Sequence, residues 1–125
     1  MTGDSLGTMF RCLLAAVLIC AAFPSHAQDW FIREGDHPLY GPALQAAIVN
    51  QPVVFFDDGR SRYSAGGSYS YTYLGGQSAY GAFRIADDGQ VCITFRNGFD
   101  RCDRFVENAG RLVMLTADGQ RFPVR

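Results

Sequence analysis

The hydrophobic pattern of the chain changes three times. Residues 13–23 form an unbroken apolar run of eleven, shorter than the roughly 20 residues a bilayer-spanning helix needs. Residues 28–41 mix polar positions with Trp30, Phe31 and Ile32 and show no period. Leu44, Ala47 and Ile48 then recur at i, i+3 and i+4, one short apolar stripe. Pro42 stands where a first helical turn accepts proline, and Pro52 turns Gln51 away from helical angles. The spacing predicts a single helix of about two turns.

Beyond Pro52 the pattern shifts to short apolar or alternating runs between turn signals. Residues 53–56, 68–74, 79–86, 90–95, 101–106, 111–116 and 120–124 read as strands, with turn glycines at 89, 98, 110 and 119. Tyr69, Tyr71 and Tyr73 share one face of their strand, Ser70 and Thr72 the other. The expected fold is mainly β: a small antiparallel meander, barrel or sandwich, of about seven strands with one short N-terminal helix. Val91, Ile93, Phe95, Leu112 and Met114, with Phe56, Phe83, Ile85 and Phe122, are the expected core.

The early apolar run changes this picture most. It is followed by Pro24 and by Ser25 and Ala27, small residues at the −3 and −1 positions of a cleavage site, so residues 1–27 read as a secretory signal peptide. Asp4 is out of place in its leading part. A start at Met9 would leave a leader of nineteen residues with Arg11 ahead of the apolar run. Ile19 before Cys20 does not fit a lipid-attachment site. The expected organisation is a signal peptide at 1–27, a lead-in segment at 28–41 and one β-rich domain at 42–125, exported to the periplasm or secreted, with no transmembrane segment.

Residues 28–125 hold ten arginines, no lysine and eleven carboxylates. That balance shows no basic excess, and no nucleic-acid partner is expected. Only Cys92 and Cys102 remain after the leader, and an oxidising compartment favours one disulfide between them. They lie symmetrically about Asn97. A three-residue loop Arg96-Asn97-Gly98, with Gly98 left-handed, sets Phe95 opposite Phe99 and Cys92 opposite Cys102. The same register sets Val91 and Ile93 opposite Asp103 and Arg101, so the two strands disagree about the buried face. A bulge in 101–106, or an edge position for it, is the expected reconciliation.

Candidate chemistry is sparse. Tyr63, Tyr69, Tyr71, Tyr73 and Tyr80 are the candidate ligand-binding residues, because tyrosine offers a flat apolar face with a hydroxyl at its edge. The same residues also suit a half-buried strand face. Asp57-Asp58 and Asp87-Asp88 precede turn glycines and read as turn formers. Asp100 to Arg104 alternates charge as a solvent-facing ion-pair strip does. His37 stands alone, with no nucleophile elbow, phosphate loop or zinc-ligand spacing. No catalytic residue, metal or cofactor is expected. The leading expectation is a non-enzymatic exported binding or inhibitor-like envelope protein with a protein or glycan partner. The second is a barrel carrying a small ligand in a tyrosine-lined site, and a small hydrolase comes third. Tyrosines turned inward around a cavity favour the carrier, and an outward patch favours the interface.

The order of motifs adds a resemblance. A short helix is followed by a strand leading into Asp58-Gly59-Arg60 and then a tyrosine-bearing strand. Gly81-x-Phe83-x-Ile85 next runs into Asp88-Gly89-x-Val91-Cys92, and Cys102 follows. Over residues 53–125 this resembles small uncharacterised exported β-proteins of Gram-negative bacteria, broadly similar to calycin-like barrels. The resemblance implies a fold and a compartment and carries over no catalytic residue.

Overall fold

A computed structural model describes residues 30–125. The apolar run, the expected cleavage site and both candidate start methionines lie outside the described residues. The elements are β1 (His37–Pro38), α1 (Gly41–Ile48), β2 (Pro52–Val54), β3 (Arg60–Tyr63), β4 (Ser68–Thr72), β5 (Ser78–Ile85), β6 (Val91–Phe95), β7 (Asp100–Asn108), β8 (Arg111–Thr116) and β9 (Arg121–Pro123).

Strands β2 to β9 form an antiparallel meander, each paired with its neighbours in sequence. The sheet curls until its two edges meet. Phe55 bridges Val124, and the Arg125 N–H donates to the Val54 carbonyl at 2.8 Å. The result is barrel-like, and closure satisfies edges that an open sheet would expose. β1 pairs with β7 through His37–Glu107 and Pro38–Val106, taking the edge of β7 beyond Asp103, where β6 has ended.

Among the described residues the strand count is therefore nine rather than about seven. The two additional strands lack a readable apolar pattern. β3 is Arg-Ser-Arg-Tyr, and its inward positions are Ser61 and Tyr63, both fully buried. β1 is two residues long and ends in proline.

Helix α1 starts one residue before Pro42 and buries Leu44 and Ile48 completely. These two join Val53, Phe55, Tyr63, Tyr69, Val91, Ile93, Phe105 and Met114 in one core cluster. A parallel bridge from Val49 to Tyr63, and the Asn50 N–H donating to the Tyr63 carbonyl at 2.7 Å, tie the helix exit to β3. The helix thus closes one end of the barrel. Phe56, expected in the core, is instead half exposed, with the Arg111 guanidinium 5.0 Å from its ring. Val53 and Phe55 hold the inward positions, and period two sends Phe56 outward.

The β6–β7 hairpin has the expected register, with Cys92 opposite Cys102 and joined to it by the disulfide. Gly98 adopts φ 89°, and its N–H donates to the Phe95 carbonyl at 2.9 Å. No L side chain enters that conformation without strain. The lead-in segment does not hang free. Trp30 packs against Val106, Val113, Leu115 and Cys102 in a second cluster. Asp36 accepts two 2.8 Å bonds from Arg121.

Candidate functional site

The end of the barrel opposite α1 is ringed by the β2–β3, β4–β5, β6–β7 and β8–β9 turns. A cavity of about 190 Å³ opens there, lined by Phe55, Asp57, Tyr69, Tyr71, Tyr73, Phe95, Arg101, Met114 and Phe122. Alternation on β4 delivers the tyrosines to it. Tyr69 is buried and bonds Ser61 through its hydroxyl at 2.9 Å. Tyr71 is half-buried, and its hydroxyl sits over Gly59 so closely that a Cβ there would overlap it. Tyr73 stands at the rim, its ring 4.9 Å from that of Tyr71. Tyr63, on β3, is fully buried beneath them, 5.0 Å from the Tyr69 ring.

The structure thus brings Tyr63, Tyr69, Tyr71 and Tyr73 together and leaves Tyr80 out. Tyr80 lies on the outer surface, with the Arg96 guanidinium 5.0 Å from its ring. Phe55, Asp57, Phe95, Arg101, Met114 and Phe122 complete the cavity, and none of them was among the candidate ligand-binding residues.

Arg101 and Asp103 correct two expectations together. There is no bulge between β6 and β7, and β7 is not an edge strand. Val91 and Ile93 do face Asp103 and Arg101, and all four positions point into the barrel. The charge strip is therefore divided. Asp103 is 1% exposed and accepts a 3.1 Å bond from Arg101 Nε, whose side chain keeps 35% exposure at the cavity. The register conflict between the strands was the signal for this interior ion pair.

The electrostatics follow from burial. Asp103 is pushed above the usual carboxylate range by loss of solvent, and Arg101 pulls back less strongly. Burial lifts Tyr69 to about 12 and raises Tyr63 and Tyr71 as well, so all three remain protonated donors. Among the described residues Tyr63 Oη and Asp103 Oδ1 have no hydrogen-bond partner. Each such atom costs about 1–3 kcal/mol, so this layer is not one that stability alone would select.

Other features carry less chemistry. The trough of about 410 Å³ beside α1, lined by residues such as Ala47, Gln51, Gly110 and Arg125, offers no aromatic ring and no buried polar group. Asp57 and Asp88 accept bonds from the backbone N–H of Gly59 and Gln90, the turn role expected of them. His37 is exposed on β1, at the end of β7 remote from Arg101. Among the described residues no three His, Cys, Asp or Glu side chains gather as a metal site, and no helix is long and apolar enough to cross a membrane. Set against known protein families, curated proteins and solved structures, the chain finds no match.

Proposed function

We propose that this protein is a non-enzymatic binding barrel for a small ligand, calycin-like in plan, which receives one ring-sized molecule at its open end. The observation that carries this reading is the inward convergence of Tyr69, Tyr71 and Tyr73 with Arg101 on one cavity. Of the two leading expectations, this is the carrier. The tyrosines make no contiguous outward patch for a protein interface.

Volume sets the ligand's size. An apolar cavity of about 150 Å³ accommodates benzene, while drug-sized ligands occupy roughly 300–1,000 Å³. A cavity of about 190 Å³ therefore suits one aromatic ring with a short substituent and excludes a lipid. Chemistry sets the polarity. Arg101 spends Nε on Asp103, and no other group among the described residues takes its Nη donors. A carboxylate or carbonyl on the ligand would meet that fork, while Tyr71, Phe55 and Phe122 cover the ring. An exported setting accords with the Cys92–Cys102 disulfide.

Titration of isotope-labelled protein with benzoate, benzyl alcohol and benzyltrimethylammonium tests the proposal by NMR. Benzoate should bind most tightly, with shifts confined to Tyr71, Phe122, Arg101 and their neighbours. Arg101→Gln should remove the preference for benzoate over benzyl alcohol. Absence of saturable shifts with all three would refute the reading. The single tryptophan, Trp30, lies in the separate outer cluster, so its fluorescence is no substitute for residue-resolved shifts.

A further inference from the structure

Strands β3, β4, β5 and β6 contain no aspartate or glutamate. They carry Arg60, Arg62 and Arg84, with Arg96 directly after β6, and all four are exposed. None of these arginines has an ion-pair partner among the described residues. The carboxylates lie in turns, in the lead-in segment and on β7. A chain of net charge −1 has thus segregated its charge, and one outer wall of the barrel is purely cationic. The even spread of arginines along the sequence conceals this, because β-sheet register decides which of them share a face.

The arrangement on that wall is specific. Arg62 pairs across the sheet with Ser70, and Ser70 with Tyr80. The Arg96 N–H then bonds the Tyr80 carbonyl at 2.9 Å, extending the row to the next strand. Arg60 pairs with Thr72, and Thr72 with Ser78, and the two hydroxyls lie 3.0 Å apart. The outward positions of β4 are therefore Ser68, Ser70 and Thr72, all small hydroxyls. They are flanked by Arg60 and Arg62 on β3 and by Ser78, Tyr80 and Ala82 on β5, with Arg84 one outward position beyond the end of β4. A depression of about 170 Å³, lined by Ser64, Ser68, Tyr69, Ser70 and Tyr80, lies along this floor.

We infer that the outer face of β4 is a binding track for an acidic glycan, a short stretch of uronate-bearing or sulfated sugar. β3 and β5 stand about 10 Å apart across β4, and five residues of strand run about 17 Å, so the track accepts a short single chain lengthwise. The arginines supply bidentate donors for carboxylate or sulfate. The serine and threonine hydroxyls donate and accept, matching sugar hydroxyls, and Tyr80 offers the one aromatic platform. Single-stranded nucleic acid calls for successive stacking rings, and this face has a single aromatic residue. A lipid surface calls for apolar side chains to bury, and of the exposed large hydrophobic residues only Tyr80 lies on this face. This site and the cavity lie on opposite faces of β4 and share only Tyr69 in their linings, so it survives if the cavity proposal fails.

The test uses the full chain as purified, with oligogalacturonate and heparin hexasaccharides, neutral cellohexaose, a six-nucleotide single strand and phosphatidylglycerol vesicles as probes. One of the acidic hexasaccharides should bind and cellohexaose should not. Affinity should drop about tenfold between about 50 and 300 mM salt, as charge screening requires. NMR shifts should map to the outward residues Arg60, Arg62, Ser68, Ser70 and Tyr80 and leave the cavity residues off these strands, Arg101, Met114 and Phe122, unmoved. Arg60→Gln with Arg62→Gln should weaken binding about tenfold, whereas Arg33→Gln with Arg125→Gln, an equal loss of charge elsewhere, should not. The inference is overturned if neither acidic glycan binds, if the control pair weakens binding as much, or if shifts map elsewhere. Tighter binding to the nucleotide strand or to the vesicles overturns the glycan assignment. The shift map needs no variant and so stands even if a substituted protein fails to fold.

Discussion

Two carboxylates closed from solvent, Asp103 and Asp36, act in opposite directions on how this molecule responds to acid. Asp103 holds its proton above 3.8, its ordinary value, because burial outweighs the attraction of Arg101. The folded protein then binds that proton more tightly than the unfolded chain does. Between the raised value and 3.8, stability rises as pH falls. Asp36 behaves the other way. The Arg121 bonds, with Asn108 and the Arg33 N–H, hold its carboxyl well below 3.8. Its contribution is complete above that pH and is lost as the pH drops further. Melting temperature followed from neutrality downward should rise slightly before it falls. Asp103→Asn should flatten the rise and leave the acid limb in place. A variant whose profile overlays the parent would show that Asp103 carries no shifted proton.

At the scale of elements, the β6–β7 hairpin is the best-determined piece. Its loop places a glycine at φ 89°, its strands pair over four residues, and the disulfide spans ten positions of sequence. Closing so short a loop should contribute about 2.5–3 kcal/mol through the unfolded state. Replacing both cysteines with alanine should lower unfolding free energy in urea by that amount with little change in the far-UV spectrum. The loop and the strand pairing do not depend on the bridge, and a collapse of β structure would show that they do. This hairpin was legible because turn residues, cysteine spacing and alternation all gave one register. β3 was not, since its inward residues are a serine and one tyrosine, and a single apolar position shows no period. Three of the five candidate tyrosines, Tyr69, Tyr71 and Tyr73, meet at the barrel mouth, because period two on β4 is a local rule. Arg101 became visible as a cavity residue only once closure of the sheet had made its face the interior.

At the scale of the whole molecule, the described chain has two hydrophobic layers. One fills the barrel beneath α1 and the other lies outside it, between Trp30 and the outer face of β7 and β8. The outer layer depends on residues 30–36, which have no strand of their own, so a polar clasp must hold them. Asp36 is that clasp. Its carboxylate is closed from solvent and accepts bonds from Arg121 Nη1 and Nη2, Asn108 Nδ2 and the Arg33 backbone, each at 2.8 Å. Removing one partner of a buried pair leaves the other uncompensated, and the cost here should be about 2–4 kcal/mol. Asp36→Ala should therefore red-shift Trp30 emission, quicken proteolysis within residues 30–36 and lower the melting temperature. Arg121 points outward, while its neighbour Phe122 lines the cavity, so the same variant should keep the benzoate affinity of the parent. Loss of ligand binding together with Trp30 burial would mean that the two layers fold as one unit, and that the lead-in segment is a wall of the barrel rather than a strap laid across it.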